Sequence, residues 1–184
     1  MVKKIKNFVP VHFLVIVCLV GNVHVAHAAD VTESSMSATE MLRLINVERS
    51  SVAVGTVTLN EQLTSAAQRK ADLMADSSQF AHTLADGTTA WDLLSEVGYS
   101  YRQAGENLAV YYSSESEVVD AWMHSELHRI TMLNGDYKEA GIAFARGTYQ
   151  GYDAVFVVLL IARPMEPLSS FSSFSSFSSS NFRS

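Results

Sequence analysis

The chain has 184 residues, 48% of them apolar and 17% charged, with three prolines, one cysteine and a formal net charge of −6. Those figures describe one soluble domain and not two. The acidic balance also argues against binding a phosphate backbone, which needs clustered Lys and Arg, so nucleic acid is not an expected partner.

Lys3, Lys4 and Lys6 precede an apolar run from Phe8 to Val25 that ends in Ala26-His27-Ala28. A basic start, an apolar stretch and a small-x-small site are the three parts of a secretory signal peptide, here residues 1 to 28. The run is interrupted by His12, Gly21, Asn22 and His24, which disfavours a retained transmembrane anchor. Cleavage after Ala28 removes three Lys, no acid and the only cysteine, Cys18, leaving a chain near −9 with no thiol. An exported protein of that kind, secreted or periplasmic, has no disulfides and must be held by its core. Residues 29 to 36 read as a linker. At the other end, residues 165 to 184 contain three Ser-Ser-Phe repeats and then Ser-Ser-Ser-Asn-Phe-Arg-Ser, a composition expected to be a disordered tail.

Between these ends lies one domain, residues 37 to 164. Ser37-Ala-Thr-Glu40 has capping-box spacing, and Met41, Leu44, Ile45 and Val47 predict a helical apolar stripe to about Glu48. Asn60 is a candidate cap for a second helix with Leu63, Ala66, Ala67, Ala71 and Met74 on one face. Asp86-Gly87 signals a turn, and Thr89 to Val97 a short helix stopped by Gly98, with Trp91 assigned to the core. Ser114 starts a further helix through Val118, Val119, Trp122 and Met123. Two strands are expected last: Ala140 to Ala145, and the nearly continuous apolar run Ala154 to Ile161, with Gly147 and Gly151 bracketing their turn. Helices first and strands last predict an α+β layered domain.

After cleavage three histidines remain, His82, His124 and His128, each beside an acid or in a polar segment. A single histidine is usually a surface or satisfied side chain; three in polar segments suggest a site. His124-Ser-Glu-Leu-His128 has the i, i+4 spacing of a zinc-protease helix, but Ser125 stands where that pattern needs Glu. Glu126 would be rotated about 200° from His124 on a helix, away from a shared metal. There is no nucleophile elbow, no catalytic thiol and no glycine-rich phosphate loop. Two neutral imidazoles can supply nitrogens to a divalent ion such as Zn²⁺ while a nearby carboxylate orients a ring, although two ligands make a weak site. Glu106 reads equally well as a site carboxylate or as an acceptor of backbone hydrogen bonds in a tight turn after Gly105.

Leu44-Ile-Asn-Val-Glu48-Arg, Leu59-Asn-Glu-Gln-Leu63, Phe80-Ala-His82-Thr, Gly98-Tyr-Ser-Tyr101, Gly105-Glu106-Asn107-Leu-Ala109, Val118-Val-Asp-Ala-Trp122-Met and His128-Arg-Ile-Thr-Met-Leu133 occur in this order. In this succession the chain resembles the CAP superfamily, whose SCP domain is shared by cysteine-rich secretory proteins, antigen 5 and pathogenesis-related 1 proteins. It is most similar to the short, cysteine-free bacterial type. The resemblance implies a three-layer α-β-α sandwich with a cleft lined by two His and two acids. It places the first His on His82, the first Glu on Glu106 and the second His on His128. The second acid of eukaryotic members falls on Ser125, so Glu126 beside it is the candidate replacement. Bacterial relatives commonly read Asn-Ser-Pro-Gly-His here, which makes His124, Glu126 and Leu127 departures.

The function expected from this pattern is an exported module binding a small ligand, lipid-like or peptide, an envelope component, or a divalent metal through His82 and His128. The alternative is a weak His/Glu-assisted or metal-assisted hydrolase of extracellular or cell-envelope substrates. A third reading makes the domain a carrier for its Phe-Ser tail.

Overall fold

The computed structural model describes residues 36 to 166. The expected signal peptide, all of the expected linker except Met36, and the expected tail beyond Glu166 lie outside the described residues. Within them, no helix is long and apolar enough to cross a membrane.

Helix α1 (Ala38–Ser51) starts where its cap predicts, but only half of the capping box forms. Ser37 Oγ accepts from Glu40 N, while the Glu40 carboxylate turns forward to Arg43 at 2.7 and 2.8 Å. The buried positions are Met41, Ile45 and Arg49, four apart. Val47, expected in the stripe, is 51% exposed because two residues past Ile45 is a rotation of about 200°.

The short strand β1 (Thr58–Leu59) leads to helix α2 (Glu61–Ser77), whose cap Asn60 accepts from Gln62 N and Leu63 N. Helix α3 (Ala90–Glu96) carries a complete Thr89/Asp92 capping box and is ended by Gly98 at φ +69°. Its Trp91 is not core: it is 41% exposed and lies against Tyr101, while Leu93 and Leu94 on the other side of the helix are buried.

Among the described residues four strands form, where two were expected. Strand β2 (Tyr101–Val110) was hidden from the pattern because its first half is polar and contains Gly105. Helices α4 (Glu115–His124) and α5 (Glu126–Met132) follow, then β3 (Glu139–Tyr149) and β4 (Tyr152–Pro164). The sheet order is β1-β3-β4-β2, with β1 parallel to β3 and the other pairs antiparallel. Gln150 and Gly151, both at positive φ, make the tight β3–β4 turn. Gly147 lies inside β3 instead of at the turn, and a Cβ there would come within 2.9 Å of Ala75 Cβ on α2. Gly141 is tighter still, since an added Cβ would sit 2.1 Å from the Leu63 carbonyl carbon.

Strand β4 divides the core. Phe156, Val158, Leu160 and Ala162 pack under α2 and α3, whereas Val157, Leu159 and Ile161 pack under α1, α4 and α5. Period-two alternation of an all-apolar strand therefore supplies both faces of the expected α-β-α sandwich. Strand β2 is left at one edge of the sheet. The site is built around it.

Candidate functional site

Consecutive residues of a strand point to opposite faces, and Glu106 and Asn107 are consecutive in β2. Glu106 shares its face with Leu108, in the α2/α3 core, and Asn107 shares its face with Ala109, in the α1/α4/α5 core. Each reaches one histidine. Glu106 Oε2 bonds His82 Nδ1 at 2.5 Å, and Asn107 Nδ2 donates to the His128 carbonyl at 2.9 Å.

His82 sits on the loop that follows α2. Ser78 closes the helix in the left-handed region at φ 52°. The loop is then tied by Ala85 N to Gln79 Oε1, by Leu84 N to Thr88 O and by Thr88 N to Asp86 Oδ1. From inside, Lys70 Nζ donates to the His82 carbonyl at 2.7 Å. The imidazole is 65% exposed while the Glu106 side chain is only 4% exposed. Burial pushes the Glu106 carboxyl above its ordinary range; the bond from His82 and the charges of Lys70 and His82 oppose that shift. A carboxylate there accepts from Nδ1–H and leaves the lone pair of His82 on Nε2.

His128 is placed by a break in the helix. Ser125 ends α4 and starts α5 with extended backbone, φ −102° and ψ 120°. Its hydroxyl does not cap α5 and instead meets His128 Nδ1 at 2.8 Å. Burial lowers the His128 pKa, and the nearby His82 charge lowers it further, so His128 is neutral at pH 7. Both imidazoles are thus held at Nδ1, and neither Nε2 has a hydrogen-bond partner among the described residues.

Beside His128 a groove of about 310 Å³ runs between β2 and α4. Phe80, Leu108, Val110, Tyr112 and Trp122 give it apolar walls, and Ser125 and His128 form its polar end. Trp122 is fixed by its indole N–H, which donates to the Leu108 carbonyl at 3.1 Å. Such a mostly apolar hollow with a few polar groups is the usual form of a small-molecule site.

The family model of the CAP cysteine-rich secretory protein family matches residues 42–161. The chain belongs to the CAP family. Among curated proteins it is 34% identical over 113 residues to the uncharacterized protein YkwD of Bacillus subtilis, covering 60% of this chain and 44% of that protein. It is 29% identical over 110 residues to the uncharacterized membrane protein YlbC of the same species, covering 60% and 32%. The chain therefore spans less than half the length of the curated relatives it matches. Among solved structures it is similar to an extracellular SCP-domain protein of Bacillus anthracis, with a TM-score of 0.59 and 25% identity over 68% of this chain and 39% of that one. An outer surface protein of Borrelia burgdorferi shares the fold at a TM-score of 0.58 and 24% identity, covering 68% and 91%.

In this CAP domain His82, Glu106 and His128 come together, and the other two candidates do not join them. His124 ends α4, is 77% exposed at its side chain and turns back to the Asp120 carbonyl at 2.8 Å. Glu126 is exposed at the first position of α5 and makes none of the site's hydrogen bonds. The i, i+4 spacing of His124 and His128 is not on one helix, because Ser125 separates α4 from α5. Nor is Glu106 in a tight turn, since Gly105 is a strand residue whose missing side chain lets Thr131 and the Tyr137 hydroxyl close on β2. As for a metal, no group of three or more His, Cys, Asp or Glu is gathered among the described residues. Two imidazole nitrogens, each oriented through Nδ1, fit only a weakly held divalent ion. Lys70 escaped the sequence reading, although it is the one charged residue on the apolar stripe of α2.

Proposed function

We propose that this CAP-family chain is an exported binding module whose cleft takes a small ligand with an apolar portion and a polar end. The apolar part lies in the groove against Phe80, Leu108 and Trp122, and the polar end meets His128 with the His82–Glu106 pair beside it. The observation that carries this reading is the groove itself, about 310 Å³ and open at a neutral, oriented imidazole. The neighbour described as extracellular supports an extracytoplasmic site of action. A divalent ion such as Zn²⁺ would be held by the Nε2 atoms of His82 and His128, weakly, with water completing its shell.

A fluorescent fatty acid, 11-(dansylamino)undecanoic acid, has both parts of such a ligand. Titrated into the protein, it should bind saturably, lose binding in Ala121→Phe, which fills the groove, and bind at least tenfold more weakly to His128→Ala. Unsaturating fluorescence that is the same in all three proteins would reject the reading. Calorimetry with Zn²⁺ on the unsubstituted protein, His82→Ala and His128→Ala tests the ion separately.

A hydrolase is the second reading, because Ser125 Oγ lies 2.8 Å from His128 Nδ1. A serine activated by that imidazole would be labelled by a fluorophosphonate, and mass spectrometry of the treated protein should then find the adduct on Ser125.

A further inference from the structure

Lys70 is fully buried, at 0% exposure, yet no motif includes it. An ammonium in that position gives up its hydration, and burial lowers its pKa accordingly. What it receives in exchange is specific. Nζ makes one hydrogen bond, to the His82 carbonyl at 2.7 Å, and its charge is felt by the Glu106 carboxylate and by Asp86. Its neighbours on the same face of α2 are Ala66, Ala67, Ala71 and Met74, so an apolar side chain at this position would continue the stripe. A charge is kept where the helix pattern alone calls for none; it is bonded to the backbone of one site histidine, and its field reaches the carboxylate that holds that histidine's ring.

We infer that Lys70 is the positioning residue of the His82–Glu106 pair, clamping the His82 main chain from below while its charge faces the carboxylate that orients the ring. The inference deepens the binding-module reading, since it states how the cleft's exposed histidine is held ready for a ligand. With both anchors in place, the imidazole lies against Glu106 and carries its proton on Nδ1. Without the ammonium, the loop carrying His82 loses its internal tie and the ring leaves Glu106. The proton then moves to Nε2, which solvated imidazoles favour, and the lone pair no longer faces outward. Lys70 touches no ligand in this scheme; it acts through His82.

The test uses nitrogen-15 spectra of the histidine rings at pH 7.5, which report the tautomer with no ligand present. They therefore separate failure of this inference from failure of the ligand reading. Unsubstituted protein should show His82 as the Nδ1–H form. Lys70→Met should shift His82 to the Nε2–H form while leaving His128 unchanged, and Lys70→Arg, which restores a charged donor, should recover the original form at least in part. A purely structural role for Lys70 would lower the melting temperature of Lys70→Met with the His82 tautomer intact, and that result overturns the inference. A second measurement needs no variant. A scalar coupling across the hydrogen bond, from Lys70 ¹⁵Nζ to the His82 carbonyl ¹³C, should be detectable at low temperature. A resolved Lys70 ammonium signal without that coupling also overturns the inference.

Discussion

Among the described residues two cations, Arg49 and Lys70, are fully buried, one on each side of the sheet. On the α1 side the Arg49 guanidinium donates to the carbonyls of Gly55, Met132, Asn134 and Tyr137 at 2.8 to 3.2 Å. Among the described residues no carboxylate is paired with it, and burial lowers its pKa. Lys70, on the α2 side, meets one carbonyl and the charge of Glu106. The difference follows from the two head groups. A planar fork with five donors can gather the end of α5 and the loop beyond it, satisfying several orphan carbonyls at once. A compact ammonium makes a single directed contact and acts otherwise through its field. One cation therefore holds the scaffold behind His128, and the other holds His82 itself.

Replacing each cation by Met should separate these roles. Arg49→Met orphans up to three carbonyls, since Asn134 O keeps Tyr137 N, and is expected to lose about 3 kcal/mol of stability in urea denaturation. Lys70→Met orphans one carbonyl and also removes a buried charge, so its expected loss is smaller, about 1 to 2 kcal/mol. Equal losses would mean that the two cations do the same structural work.

The two halves also titrate in opposite senses. Burial lowers His128 below 6.5, so below that pH the unfolded chain binds more protons and stability falls on acidification. Burial raises Glu106 above 4.5, so between its folded value and 4.5 the folded chain binds more protons and acidification adds stability. Urea denaturation at pH 7.0 and pH 5.0 should show His128→Gln losing less stability on acidification than the unsubstituted protein. In Glu106→Gln the loss should be larger, because the compensating proton uptake is gone. The reverse order would show that the two environments are assigned to the wrong residues.

The smallest effects are expected outside both halves. His124→Ala and Glu126→Gln alter exposed side chains, and each should change stability by less than about 0.5 kcal/mol and leave fatty-acid binding unchanged. A tenfold loss of binding in Glu126→Gln would instead restore it as the second acid of the cleft.

Much of this was legible from local chemistry. Asn60, Thr89 and Ser114 mark helix starts because a side-chain oxygen next to a helical stripe serves its unpaired backbone N–H groups wherever the rest of the chain goes. The run Ala154 to Ile161 reads as a buried central strand because every position is apolar. His82, Glu106 and His128 were found through the order of motifs that makes the chain resemble the CAP family, not through spacing, since they are 24 and 22 residues apart in sequence. Their contact is a property of the sheet. Glu106 and Asn107 reach different histidines because adjacent strand residues face opposite layers, and β2 itself was invisible to pattern because it is polar where it meets the site.

Local rules erred where a neighbour decides. Trp91 and Val47 are exposed because burial depends on what a helix packs against, and a hydrophobic residue off the packed face stays in solvent. Arg49 and Lys70 are buried for the converse reason: each has the apolar stem and the polar head needed to reach carbonyls that belong to distant segments. By itself the sequence determined where α1 to α4 begin, which strand lies at the centre and which family the motif order resembles, because those depend on residues close together or in fixed succession. It did not determine the start of α5, which has no side-chain cap. Only the tertiary structure decided that Glu106 lies under His82, that Ser125 turns His128 away from His124, and that two buried cations hold the two halves of the cleft. Those contacts join segments whose mutual positions are set by packing across the sheet.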